Sequence, residues 1–327
     1  MDHWARVEAA IAGQPTDCVP VALWRHFPVD DQDPGKLAAR TLEWQRKWDF
    51  DLVKFMPSGT YSVEDWGAKS VFEGAANGAR AISEPGVRRA ADWRRLPRLD
   101  PRKGVLGAQN EALARAAKAL GCSAPILQTV FSPLTTARKL AGVALLGQLR
   151  SEPDAVEAGL RTITDTTIDL ALAALGAGAH GLFFATQLAT TDLLTVPEYE
   201  RFGRKFDLDI FSAIKEKARM NMLHLHGENI MFDLLAGYPV EMINWHDRLT
   251  APTLKDALGK FKGAVVGGVE ERELLVSGAE PAVRAQVRDA IGQSGGRRLV
   301  VGPGCVAAIA APEQNIRAVI EEARKAP

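Results

Sequence analysis

Met222-Leu223-His224-Leu225-His226-Gly227-Glu228-Asn229 sets two of the chain's six histidines two residues apart at the end of an apolar run. In a β-strand successive side chains point to opposite faces, so His224 and His226 share one face while Leu223 and Leu225 share the other. A second apolar run, Leu299-Val300-Val301, is closed by Gly302-Pro303-Gly304-Cys305. As strands of one parallel barrel, the two runs would carry both motifs to its C-terminal rim, the end at which such barrels keep their active sites.

Working outward, runs of the same kind occupy residues 19–24, 52–56, 125–130, 181–185, 221–225, 240–245, 264–269 and 299–301. Helical periodicity fills the intervals at 34–48, 108–120, 154–175, 197–219, 253–260, 282–293 and 312–325, several of them opened by Pro, Asp or Glu. Strands alternating with helices imply a parallel sheet, and eight strands close a (β/α)₈ TIM barrel. With no low-complexity linker and no internal repeat, the expectation is a single domain over residues 1–327. Residues 57–101, broken by Gly59, Gly67, Gly74, Gly78 and Gly86, read as an elaborated segment over the rim after the second strand, with a small hairpin around 79–89.

The chain has 327 residues, 46% hydrophobic and 24% charged, enough for a full core. Its 40 basic and 40 acidic side chains balance, which removes the electrostatic case for nucleic acid or an anionic membrane as partner. The basic stretch Arg88-Arg89-Ala90-Ala91-Asp92-Trp93-Arg94-Arg95 reads as a solvated face. Three cysteines, Cys18, Cys122 and Cys305, make an odd number, and no apolar leader precedes them. A reducing cytoplasm is therefore expected rather than a disulfide framework. The most apolar window, 168–179, is too short and glycine-broken to span a bilayer.

Several motifs together resemble the uroporphyrinogen decarboxylase superfamily. They are Arg6-Val7-Glu8-Ala9-Ala10-Ile11-Ala12-Gly13-Gln14 followed by Asp17-Cys18-Val19-Pro20-Val21, Phe131-Ser132-Pro133-Leu134-Thr135-Thr136, Gly176-Ala177-Gly178-Ala179, and Gly302-Pro303-Gly304-Cys305 leading to Pro312-Glu313-Gln314-Asn315-Ile316. The resemblance implies one (β/α)₈ barrel. It also implies one of two chemistries, haem-pathway decarboxylation or zinc-dependent methyl transfer serving coenzyme M and corrinoid proteins. The decarboxylase pattern is broken here. Where that branch has Arg-Gln-Ala-Gly-Arg, this chain runs Leu23-Trp24-Arg25-His26-Phe27-Pro28; its pyrrole-binding aspartate falls near Ser58, its tyrosine near Lys139 and its last histidine near Pro303. Losing that carboxylate removes the main stabiliser of a cationic intermediate.

The methyltransferase branch resembles this chain more closely. Its zinc site is His-X-Cys after the fifth strand with a distant second Cys; His224 and Cys305 match, and His226 stands where the first cysteine would be. Imidazole can replace thiolate on zinc. Asn244-Trp245-His246-Asp247-Arg248 puts a third histidine on the next strand end, with Glu241, His246 or Asp247 as a further ligand. The alternative for the histidines is a hydrogen-bonded pair without metal, for Cys305 a small buried hydrophobe, and for His246 and Asp247 a pair that orients other groups.

Arg25 and His26 suit a carboxylate clamp, or a surface ion pair with Asp30 or Asp31. Trp24 and Trp245 line an apolar pocket or pack the core. Ser58, Gln187, Asp192 and Glu228 complete the rim candidates. Three readings follow. The leading one is a zinc-assisted one-carbon transferase for a small organic substrate with a corrinoid or thiol acceptor, His226, His246 and Asp247 being its catalytic side chains. The second is a metal-free decarboxylase in which Arg25 holds a carboxylate and His226 or His246 donates a proton. The third is a non-catalytic ligand-binding barrel.

Overall fold

The computed structural model describes residues 1–325. A parallel, curled sheet of seven strands runs in chain order through β1 (Val53–Phe55), β4 (Ile126–Phe131), β5 (Gly181–Thr186), β6 (Met222–Leu225), β7 (Met242–Trp245), β8 (Ala264–Val269) and β9 (Leu299–Pro303). The short strands β2 (Lys69–Val71) and β3 (Ala81–Glu84) pair antiparallel in a separate hairpin. Every residue of the seven parallel strands is buried, as a sheet covered on both faces requires.

The run expected as the first strand, residues 19–24, is reduced to one bridge, Val21 with Val301. It nevertheless touches both edges of the sheet. Ala22 N donates to Val301 O at 2.9 Å and Val301 N to Pro20 O at 2.8 Å, while Asp51 N, just before β1, donates to Val21 O at 2.9 Å. Regular pairing stops for two reasons. Pro20 has no N–H, and the N–H of Val21 goes to the Asp51 carboxylate at 2.8 Å instead of a strand carbonyl.

Alternation sorts the side chains into two layers. Trp24, Leu127, Phe183, Met222, Met242, Val266 and Val300 fill the inner face, and Leu223, Leu225, Ile243, Trp245, Val265, Leu299 and Val301 pack outward under the helices. Helix Pro34–Trp48 starts on an Asp33 cap that accepts from Lys36 N at 2.8 Å. The helix expected over 197–219 is interrupted: Val196–Tyr199 passes through a π turn, Glu200–Arg204, into Lys205–Ile214. The Tyr199 ring lies where a Cβ on Gly203 would be, and after Ile214 the chain closes a turn in which Lys217 N and Ala218 N both donate to Ile214 O at 2.9 Å. In residues 57–101 the expected hairpin is wider than 79–89, since Ala81–Glu84 pairs with Lys69–Val71. Among the described residues no helix is long and apolar enough to cross a membrane.

Two buried carboxylates allow tests of this packing. Asp51, fully buried, accepts from Val21 N, from His3 Nδ1 at 2.8 Å and from Arg6. Asp51→Ala strands these donors and should cost roughly 3–5 kcal/mol in urea unfolding; a loss below about 1 kcal/mol would contradict the role given to this carboxylate. Asp207 is fully buried and accepts from Tyr199 Oη at 2.8 Å and Tyr238 Oη at 2.9 Å. Burial raises its pKa from the ordinary 3.8 to about 7, against the opposing pull of the two hydroxyls. The folded form thus holds its proton longer than the unfolded form. Its contribution to stability is full below about pH 4 and is lost as pH rises through about 7. Thermal melts of wild type and Asp207→Asn from about pH 5 to 8 should show the wild type losing ground to the variant as pH rises, and parallel curves would refute this.

Candidate metal centre

Because His224 occupies an inward position of β6, His226 follows on the same side two residues later. His246 stands one residue past β7, and Cys305 two past β9. One ligand atom from each of His224, His226, His246 and Cys305 lies within 4.8 Å of all the others. His226 Nδ1 is 3.3 Å from His246 Nε2 and 3.8 Å from Cys305 Sγ.

Neighbouring side chains aim the imidazoles. Asn244 Nδ2 donates to Val266 O at 2.8 Å and Pro303 O at 3.0 Å, so its Oδ1 is the acceptor for His224 Nδ1 at 2.6 Å. The proton is therefore on Nδ1, and His224 Nε2 carries a lone pair, buried and without a partner. Glu271 Oε1 accepts from His246 Nδ1 at 2.8 Å, and Nε2 of that ring faces the cluster, 3.3 Å from His226 Nδ1 and 3.5 Å from Arg272 Nη2. The other Glu271 oxygen accepts from Gly304 N at 3.1 Å, beside Cys305. A buried imidazole nitrogen without a partner is costly. Three imidazoles and one sulfur around a point fit a four-coordinate cation of the zinc type.

Electrostatics sharpen the picture. Burial lowers the His224 pKa. Burial pulls His246 down as well, but its bonds to Cys305 and Glu271 outweigh this and raise it to about 9. Burial alone would push the Cys305 thiol up; the imidazoles of His224, His226 and His246 facing it outweigh this and bring it well below the ordinary thiol range.

Other candidates fall into distinct places. Trp24 lies on the inner face, edge-on to Phe183 at 5.6 Å, and Phe183 stacks on His224 at 5.4 Å. His26 is buried, and burial with the nearby Lys54 pushes it down to about 3, so it is neutral. Arg25 alternates to the other side, its guanidinium over Phe27 and Trp44 at 5.5 and 5.3 Å and its Nη1 donating to Ile309 O. The clamp expected from Arg25 and His26 together is thus split across two faces. Ser58 is buried against Thr60, and Gln187 donates its backbone N–H to Thr135 Oγ1. Asp192 and Glu228 are exposed.

Three expectations need correction. Trp245 lines no pocket: it is fully buried in the outer layer, against Phe232, with Nε1 donating to Pro252 O. Asp247 alternates away from His246, accepts from Gly268 N at 3.0 Å and sits 3.2 Å from Arg248; burial raises it to about 6. Glu241 precedes β7 and caps Asn221 N, at the opposite end of the sheet from the cluster.

Asn244, Glu271 and Lys54 went unnoticed in the sequence although each left a signal. Asn244 in Met-Ile-Asn-Trp and Lys54 in Val-Lys-Phe are polar residues at inward positions of apolar runs, and Glu270-Glu271 closes β8.

The sequence matches the profile of the family "Uroporphyrinogen decarboxylase (URO-D)" over residues 3–326. It is 20% identical to the Methylcobamide:CoM methyltransferase MtbA of Methanosarcina acetivorans, across 98% of this chain and 96% of that protein. It is 24% identical to the Methylcobamide:CoM methyltransferase MtaA of Methanosarcina barkeri, across 96% and 95%. Among solved structures, a methyltransferase from Methanosarcina mazei superposes with a TM-score of 0.87 at 20% identity, covering 99% of this chain and 98% of that one. A B12-independent methionine synthase from Shewanella superposes with a TM-score of 0.61 at 13% identity, over 94% and 98%. With the match running through nearly its whole length, the chain belongs to the uroporphyrinogen decarboxylase (URO-D) family, and these relatives come from its methyltransferase side.

Proposed function

We propose that this chain is a zinc-dependent methyltransferase for a small organic substrate, working with a corrinoid or thiol partner. The observation that carries the reading is the convergence of His224, His226, His246 and Cys305 within 4.8 Å. Support comes also from the relatives named for methylcobamide and CoM. We read the seven strands and the bridging residues 20–22 as a closed (β/α)₈ barrel forming one domain, with residues 57–101 over its rim. A reducing compartment such as the cytoplasm suits a thiolate ligand.

When bound, zinc supplies a Lewis acid that lowers the pKa of a coordinating thiol or polarises an oxygen. The side chains set the rest. Asn244 and Glu271 hold His224 and His246 in the tautomers that present Nε2. His224 and His246 are 3% and 2% exposed, whereas His226 and Cys305 are half-buried, so the cluster is open to solvent on one side only. His226 differs, being half-buried, followed by Gly227 at φ +101°, and bonded to nothing outside the cluster. It is the side chain free to yield its place to substrate. Three neutral imidazoles and one thiolate leave a divalent cation about one charge unit more positive than one imidazole and two thiolates would. That favours binding and polarisation over the nucleophilicity of a bound sulfur.

Metal analysis of purified protein should find about one zinc per chain, lost in His224→Ala and Cys305→Ala, while Glu271→Gln weakens zinc affinity by about 10–100-fold with the fold intact. Zinc content near zero, or unchanged in the two ligand variants, would refute the site. Mixed with methylcob(III)alamin and a small thiol, the zinc-loaded protein should demethylate the corrinoid, read from its visible spectrum. It should not convert uroporphyrinogen, and efficient decarboxylation would overturn the assignment.

A further inference from the structure

Little of the β2–β3 hairpin is buried. Every strand residue except Ser70 and Ile82 is exposed, and so are residues 73–77 of the loop between the strands, yet Gly78 is buried. Gly78 ends a tight turn, with φ at +80° and its N–H donating to Ala75 O at 2.8 Å. A Cβ there would lie 2.7 Å from His26 Cβ, 3.1 Å from Ile309 Cδ1 and 3.3 Å from Pro28 Cδ. In the same turn Ala76 O accepts from Ile309 N at 2.9 Å. The backbone of the turn therefore rests on the segment that follows residues 19–24 and, at once, on the loop that follows β9.

These contacts fall on the weakest seam of the sheet. Where residues 19–24 meet β9 the ladder is reduced to the bridge of Val21 with Val301, continued past it by Ala307 N donating to Trp24 O at 3.0 Å and Arg25 Nη1 to Ile309 O at 3.2 Å. Cys305 stands on the loop at one side of this seam, four residues before Ile309. On its N-terminal side that loop is held by Glu271 through Gly304 N; on its C-terminal side it depends on Ala307 and on the hairpin. The base of the hairpin is pinned, since a Cβ on Gly86 would lie 2.9 Å from Trp66 O and Val87 N donates to Leu140 O at 3.0 Å. A two-stranded ribbon fixed at its base, and held at its tip by a backbone hydrogen bond and the close approach of a glycine, opens locally at less cost than the sheet beneath it.

We infer that residues 75–78 form a strap across this seam, a positioning element that holds the loop from Gly304 to Ile309 so that Cys305 faces the three histidines. Lifting the strap frees that loop and loosens the cluster. The effect on the cluster rests on reading it as the metal centre; the hold on the loop does not. Glycine is required at position 78 because a side chain would push the turn off His26, whose Cβ is the root of its side chain and cannot swing aside.

Gly74 supplies the control. It lies in the same loop at φ +81°, and a Cβ there meets nothing within 4 Å. Gly74→Ala thus carries the backbone strain of Gly78→Ala without the collision. Hydrogen exchange should show the Ile309 amide opening about tenfold or more faster in Gly78→Ala than in wild type, and at the wild-type rate in Gly74→Ala. Ile309→Ala keeps the N–H but removes the side chain beneath the turn; it should give a smaller acceleration and carries the test if Gly78→Ala does not fold. Zinc affinity, read by competition with a chelator, should fall about tenfold or more in Gly78→Ala and stay unchanged in Gly74→Ala. Equal exchange in the two glycine variants would overturn the strap, and equal zinc affinity in them would overturn its hold on Cys305. Wild type that binds no zinc removes the metal reading, and the exchange rates then decide the strap on their own.

Discussion

The Asn244 side chain ties the site to the sheet. Its amide N–H groups reach Val266 O on β8 and Pro303 O on β9, and its oxygen takes the Nδ1 proton of His224 on β6. One buried side chain thus spans three strands beyond its own. It fixes the tautomer of His224 and the backbone two residues before Cys305, two of the candidate ligands. With both amide hydrogens donated to carbonyls, the oxygen faces His224 and can only accept, so the lone pair on His224 Nε2 follows from hydrogen-bond counting alone. Glu271 repeats the device, holding His246 with one oxygen and Gly304 N with the other. The cluster is preorganised because its outer partners belong to the wall of the sheet.

Much of this was legible in the sequence. Period-two spacing put His224 and His226 on one face, and the alternation of strand-like and helical runs put β6, β7 and β9 ends together. Two features were hidden for physical reasons. Residues 19–24 have the composition of a strand, yet Pro20 and the pull of Asp51 on the Val21 N–H leave a single bridge. Asp247 and Trp245 sit beside His246 in sequence, and proximity suggested a shared role; alternation sends both to the opposite face. Glu271, more distant in sequence, does what Asp247 was expected to do. Pairings of this kind depend on which strand ends neighbour each other, which no local pattern states.

Buried polar groups set against stability recur on the inner face. His224 Nε2, His26 Nδ1 and Trp24 Nε1 have no partners, and Lys54 has no acid. Each alone would be a defect in a well-packed core. Gathered on the inner face, they leave polar atoms open to a ligand, which at the histidine cluster is, in our reading, a cation. With three imidazoles and one thiolate around it, a divalent cation held there would, in our reading, be a more electrophilic centre than one on two thiolates.

Zinc K-edge X-ray absorption on the purified, zinc-loaded protein tests the central claim most directly, since it reads the donor atoms without crystals. The account predicts a first shell of nitrogens at about 2.0–2.1 Å, with the outer-shell pattern of imidazole, and a single sulfur at about 2.3 Å. A shell of oxygens alone, or one without sulfur, would contradict it.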